Sequence, residues 1–175
     1  MGSERALEHE FDLSFEEGVV APVTEDEMCA DCSLVLEREG VERPCMVSIS
    51  VVSEERIRAL NDAWRDVDRA TDVISLECER PDDPDLAPGE PCELGDIVLA
   101  PAYIARQAAS FGTTEADEFR LLLTHGLLHL LGYDHLDDEE ASAMEAREEE
   151  LLALMPCDRP IDHVILTRHR EDGDA

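Results

Sequence analysis

The stretch from Thr114 to His135, TEADEFRLLLTHGLLHLLGYDH, constrains this chain more than any other. Thr114 is a good helix N-cap, and Asp117 falls in the first turn, where a carboxylate favours the positive end of the helix dipole. The run then reads as one long helix to Gly132, a residue that stops helices by adopting the left-handed conformation. Leu127, Leu128, Leu130 and Leu131 are core packing. His125 and His129 are four residues apart, so both rings leave one face of the helix, about one turn from each other. The Gly132 turn swings His135 back towards the pair. Three neutral imidazoles so placed can ligate a tetrahedral zinc ion with a fourth position open, the pattern of a catalytic rather than a structural zinc. A core helix carrying satisfied histidines is the plain alternative. Three histidines at this spacing, with glycine at the turn, speak against it.

The spacing is also that of the metzincin motif H-E-x-x-H-x-x-G-x-x-H. The motif's Glu, the general base of the protease, is Gly126 here, so peptidase activity is not expected. Imidazole ligands favour zinc and also suit nickel, copper and iron. Asp134 is either a partner that orients a ligand ring or a solvated turn residue.

The rest of the chain supplies a frame. LEHEFDLSF alternates apolar and polar residues and predicts a strand. Thr24 and Glu27 form a capping box for a helix ending at Gly40. CMVSISVV (45–52) is β-rich, and Ser53 caps the helix that follows it. TDVISLEC (71–78) and LGDIVLA (94–100) are two more strands, separated by a loop rich in Pro and acid. Pro101 opens a short helix to Gly112, and DDEEASAMEAREEELLALM is a last amphipathic helix. DHVILT adds a short element, and RHREDGDA is a frayed tail. The order β, α, β, α, β, β, α, α, α predicts a single α+β or α/β domain. Its core is a mixed, mostly parallel sheet of about four strands packed with helices, with the zinc site at the end of the long helix. The domain runs over 1–157, with a partly disordered C-terminal extension over 158–175.

Composition narrows the function. With 175 residues, 43% of them hydrophobic, the chain can bury a core. No apolar run is long enough to span a bilayer, and the acidic N-terminus lacks the order of a signal peptide, so a soluble cytoplasmic protein is expected. The net charge of −30 comes from 44 acidic and 14 basic residues, every one of the latter Arg. Such a surface repels polyanions at long range, which argues against nucleic-acid binding through bulk electrostatics and leaves a local basic cleft as the route. Cys29 and Cys32 have C-x-x-C spacing but no second pair, and they read as partly buried thiols within a helix.

The eleven residues HGLLHLLGYDH (125–135) resemble the zinc motif of the YbeY family of bacterial endoribonucleases, H-G-x-L-H-L-x-G-Y-D-H, at every fixed position. LNDAWRDVDRATDVISL (60–76) resembles a second motif of that family, with Leu76 where the family has an aromatic residue, and GDI at 95–97 resembles a third. The likeness covers most of the chain. It implies a single-strand-specific, metal-dependent endoribonuclease acting in 3′-end maturation of small-subunit ribosomal RNA and in ribosome quality control. The implied partners are ribosomal RNA and proteins of the small subunit, with no membrane and no DNA. It implies one Zn2+ per chain on His125, His129 and His135, with His125 also catalytic, and a catalytic role for Arg65.

A guanidinium suits that role, because phosphodiester cleavage builds charge on non-bridging oxygens that its planar fork can bind in pairs. Arg58, Arg65 and Arg69 fall roughly on one side of a helix and form the candidate RNA-contacting patch; pairing with nearby acids is the alternative. Thr71 and Ser75 are candidate polar contacts to substrate. Asp72 and Asp96 either orient a ligand or Arg65, or cap a turn. Asn61 bonds local backbone. Two other function classes compete: a non-catalytic ribosome-assembly factor with a structural zinc, and a different zinc hydrolase.

Overall fold

A computed structural model describes residues 8–134 and 136–157. His135, the DHVILT segment and the tail lie outside the described residues. The elements are β1 (Glu10–Phe15), α1 (Glu25–Arg38), β2 (Cys45–Val51), α2 (Glu54–Arg65), β3 (Val73–Glu77), β4 (Cys92–Leu99), α3 (Pro101–Phe111), α4 (Glu115–Leu130) and α5 (Asp138–Leu152). This is the order that the sequence predicts. The expected caps are in place: Thr24 and Glu27 bond reciprocally, Ser53 Oγ accepts from Arg56 N at 3.2 Å, and Thr114 Oγ1 accepts from Asp117 N at 3.1 Å.

The four strands form one mixed sheet in the order β1-β2-β4-β3. β1 and β4 both run parallel to β2, while β3 runs antiparallel to β4. The expected α+β domain with a mixed four-stranded sheet and five helices is therefore what forms, and β3 is an edge strand. Opposite Met46–Val47 the pairing jumps from Glu93 to Gly95, which leaves Leu94 as an extra residue. Leu94 and Ile97 can then both reach one core although they are three apart. Gly95 takes φ 140°, and a Cβ there would fall 2.0 Å from the carbonyl oxygen of Leu76. Only glycine lets the strands pass so closely.

One face of the sheet carries Val47, Ile49, Ile97 and Leu99 into the main core with α1, α4 and α5. The other face carries Ile74 and Val98 into a smaller cluster beneath Ile57 and Leu60 of α2. Thirteen of the sixteen residues of α4 are buried. Each of its large apolar side chains contributes about 1.5–3 kcal/mol by leaving water. Packing on all sides thus fixes the position of α4, and the histidines near its end are fixed with it. Arg120, 4% exposed, is the cation within this helix; it pairs with Glu27, with Asp31 at 3.4 Å and with Asp117 at 3.9 Å.

Cys29 is half-buried and Cys32 fully buried, both unpaired by disulfide, and burial pushes both thiols up. That environment stabilises the protonated form, not a reactive or metal-binding thiolate.

Candidate metal centre

α4 ends as the sequence predicts. The amide of Tyr133 donates to Leu128 O at 3.0 Å and the amide of Gly132 to His129 O at 3.0 Å, the paired bonds of a Schellman turn with Gly132 at φ 112°. The turn brings the carbonyl of Tyr133 to His129, whose Nδ1 lies 2.9 Å from it. A carbonyl oxygen only accepts, so this Nδ1 carries the proton and Nε2 presents a lone pair. One turn earlier, Nδ1 of His125 lies 2.6 Å from Glu148 Oε1, with both side chains buried. The two Nε2 atoms face each other at 3.1 Å, and the rings stand nearly perpendicular. Two nitrogens on one tetrahedral zinc ion lie roughly 3.3–3.4 Å apart, given Zn–N bonds of about 2.0–2.1 Å. The donor set therefore fits a cation placed between the rings. Each Nε2 is backed through its ring's Nδ1 by an oxygen that fixes the ring's orientation, as is usual behind a metal-binding histidine.

Glu148 is a site residue that sequence reading missed. It sits in the acidic run EEE of α5, which reads as solvated. Its signal was positional. Ala141, Met144, Glu148 and Leu151 share the buried face of α5 at helical spacing, and one of the four is a carboxylate at 0% exposure. A buried acid on an apolar stripe needs a partner, and His125 is that partner. Arg147 beside it anchors α5 to the end of α1 through Glu39 and the carbonyl of Arg38. The Tyr133 side chain joins the same anchor; its phenol is pushed up by burial and by its hydrogen bond to the Glu39 carboxylate.

Gly126 is also explained. A Cβ there would stand 3.1 Å from both Ile97 Cγ2 and Ser75 Oγ. The helix packs so closely on the sheet that a side chain as large as the metzincin glutamate would press on Ile97, Ser75 and Val73. Ser75 lies at this contact and donates to the carbonyl of Gly126 at 3.3 Å.

The remaining candidates are spread more widely than the sequence suggested. Asp72 is buried at the start of β3, where it accepts from Val73 N at 2.7 Å, Thr71 Oγ1 at 3.3 Å and Gln107 Nε2 at 3.0 Å. Gln107 also donates to Glu118, so Thr71 and Asp72 brace the N-terminal part of α4, about two turns before His125. Asp96 pairs in register with Leu76 and Ser48 and is exposed on the far side of the sheet. Its neighbour Ile97 is the residue that faces Gly126, so Asp96 points away from the histidines. Arg69 lies beyond α2, not on it, since the helix ends at Arg65 and Asp66 turns left-handed. Its carbonyl accepts from Asn61 Nδ2 at 3.0 Å, the local backbone bond expected of Asn61. Arg58 forms a two-point ion pair with Asp68, so it follows the pairing alternative. Arg65 is exposed in the last turn of α2, and Asp134 is exposed just past Gly132. α2 and α4 cover opposite faces, so the approach from Arg65 to the histidines runs around the β3 edge.

None of the helices among the described residues is long and apolar enough to cross a membrane. The sequence model of the family described as Endoribonuclease YbeY matches residues 20–155. The Endoribonuclease YbeY of Halorhodospira halophila is 40% identical over 157 residues, covering 86% of this chain and 96% of its own length. That of Paramagnetospirillum magneticum is 45% identical over 114 residues, covering 65% and 70%. A Thermotoga maritima protein with a solution structure shares the fold, with a TM-score of 0.55 and 22% identity over 92% of both chains. The chain belongs to the YbeY endoribonuclease family.

Proposed function

We propose that this protein is a metal-dependent endoribonuclease that cuts single-stranded RNA, with the 3′ region of small-subunit ribosomal RNA as its substrate and a role in ribosome quality control. It would act in the cytoplasm beside proteins of the small subunit. One observation carries the reading: the Nε2 atoms of His125 and His129 converge at 3.1 Å while both Nδ1 atoms are held by oxygen. Kinship to proteins named endoribonuclease supplies the reaction class.

His125, His129 and His135 would hold the ion, and zinc suits three imidazoles. When bound, zinc supplies Lewis acidity towards a phosphate oxygen. The chain's own residues do the rest. Glu148 and the Tyr133 carbonyl keep the two rings aimed. Arg65 binds the non-bridging oxygens as charge builds on them, approaching around the β3 edge. Gly126 leaves the protein without a carboxylate base at that position, which supports RNA over peptide as substrate.

The test is cleavage of a labelled single-stranded fragment from the 3′ end of small-subunit rRNA by wild type, Arg65→Ala and His125→Ala, purified identically. Cleavage by wild type alone, stopped by a chelator, is the expected result. Equal cleavage by all three, or none by a wild type that holds one zinc, would overturn it and favour an assembly factor with a structural metal.

A further inference from the structure

Arg80 follows β3 and opens the loop to β4. Its guanidinium lies directly over Gly132: a Cβ built on that glycine would fall 2.7 Å from Nη1 and 3.3 Å from Cζ. Gly132 stands midway between His129 and His135 in the chain, in the turn that holds His129 through the Tyr133 carbonyl. A positive charge is therefore seated on the turn of the metal centre, and a side chain at 132 would evict it. The side chain is 44% exposed, so solvent and substrate can reach it. Its ion-pair partner among the described residues is Glu77, with Nη2 2.9 Å from Oε2. Both partners are exposed, and such a pair is worth about 0–1 kcal/mol. A phosphate, which takes two guanidinium hydrogen bonds, can displace it.

We propose that Arg80 is a substrate-binding residue, gripping the RNA backbone next to the scissile phosphate, with Glu77 as the carboxylate it exchanges for phosphate. The inference rests on the endoribonuclease reading and extends it with a residue that none of the three sequence motifs contains. On a chain with net charge −30, a polyanion must be held by cations at the site itself, and this one is adjacent to it.

The test measures binding of a labelled single-stranded RNA by fluorescence anisotropy across a salt series. The proteins are wild type, Arg80→Gln, Glu77→Gln, the double variant and, as a charge control, Asp82→Asn, each with its metal content and melting temperature recorded. Arg80→Gln should weaken binding roughly tenfold whatever the sequence, as for loss of one charge-assisted contact. It should also flatten the slope of log K against log salt by about 0.7, the value for one phosphate on a single strand. KM should rise more than kcat falls. Glu77→Gln should tighten binding more than Asp82→Asn does, and should lose that advantage in the Arg80→Gln background. If wild type binds and cuts RNA while Arg80→Gln keeps its affinity and slope, Arg80 is only a surface ion-pair residue and the proposal is wrong. If wild type itself neither binds nor cuts, the endoribonuclease reading fails first and takes the proposal with it.

Discussion

Replacing Glu148 by Gln tests whether the buried carboxylate exists for the metal centre or for the fold. Gln keeps the volume and leaves one oxygen that can accept from His125 Nδ1, so no cavity opens at a site that is 0% exposed. What is lost is the carboxylate behind the proposed ligand ring, across a contact of 2.6 Å. Loss of such a backing carboxylate lowers metal affinity by about 10–100-fold, or ~1.4–2.7 kcal/mol. Without metal, the Gln amide oxygen still accepts from His125 Nδ1, so the fold keeps this hydrogen bond and its stability changes little. The two readouts thus separate. Competition with a chromophoric chelator should show zinc affinity falling at least tenfold, while the melting temperature of the metal-stripped protein holds. A variant with wild-type zinc affinity would refute the argument, because Glu148 would then be a structural partner of His125 and nothing more. A fall in stripped-protein stability as large as the fall in metal binding would refute it equally.

Gly126→Glu should destabilise the protein by at least ~2 kcal/mol in denaturant melts, through overpacking against Ile97 and Ser75, and should confer no peptidase activity; a stable, peptide-cleaving variant would contradict the packing account. Gly95→Ala should destabilise by several kcal/mol, because the Cβ meets the Leu76 carbonyl at 2.0 Å at a φ of 140°, and a melt within 0.5 kcal/mol of wild type would deny that approach. Asp31 is pushed up to about 6, first by burial and further by Glu27, against the pull of Arg120. A carboxylate raised in the folded state binds more protons folded than unfolded between about pH 4 and 6, so its contribution is present at low pH and lost as pH rises through that window. Asp31→Asn should therefore gain up to about 3 kcal/mol over wild type at pH 8 and much less at pH 4.5, as read by urea melts; an equal difference at both pH values would reject this assignment.

The framework was legible because local and tertiary signals agree. Thr24, Ser53 and Thr114 mark helix starts by their own hydrogen bonds, Gly132 marks a stop by its conformation, and the histidine spacing maps directly onto one helix face. The antiparallel return of β3 onto β4 was suggested by two β-rich runs joined by a single Pro- and acid-rich loop with no helix in it. Contacts between distant elements were not legible. Glu148 lies 23 residues beyond His125 and looks like one more surface acid until the buried faces of α4 and α5 meet. Asp72 and Asp96 both sit in strand motifs, and only the sheet's parity and the bulge at Leu94 decide that Asp96 faces away from the histidines. The placement of Arg69 on one helix with Arg58 and Arg65 failed for a local reason: Asp66 adopts φ 56° and ends α2 before Arg69 is reached.

The acidic charge and the proposed polyanionic substrate are compatible once the arginines are followed individually. Arg120 is buried among three carboxylates, Arg147 ties α5 to α1, Arg106 pairs with Glu54, Arg58 with Asp68, and Arg43 holds the carbonyls of Ala87 and Glu90. Arg120 and Arg147 are engaged in the fold and lend little field to a ligand, whereas Arg58 and Arg106 sit in exposed pairs like that of Arg80 but on the α2 side, away from the histidine turn. A surface of this kind repels RNA at long range, so a cation set beside the proposed reactive centre stands out against it, and that contrast itself selects position. A double helix, which presents two dense rows of phosphate, meets the repulsion over its whole length. A single strand can flex so that a few phosphates reach the β3 edge, Arg80 and the histidine turn while the rest stays in solvent. The charge of −30 is thus no obstacle to the proposed RNA cleavage; it would favour flexible, single-stranded segments delivered to one edge of the sheet.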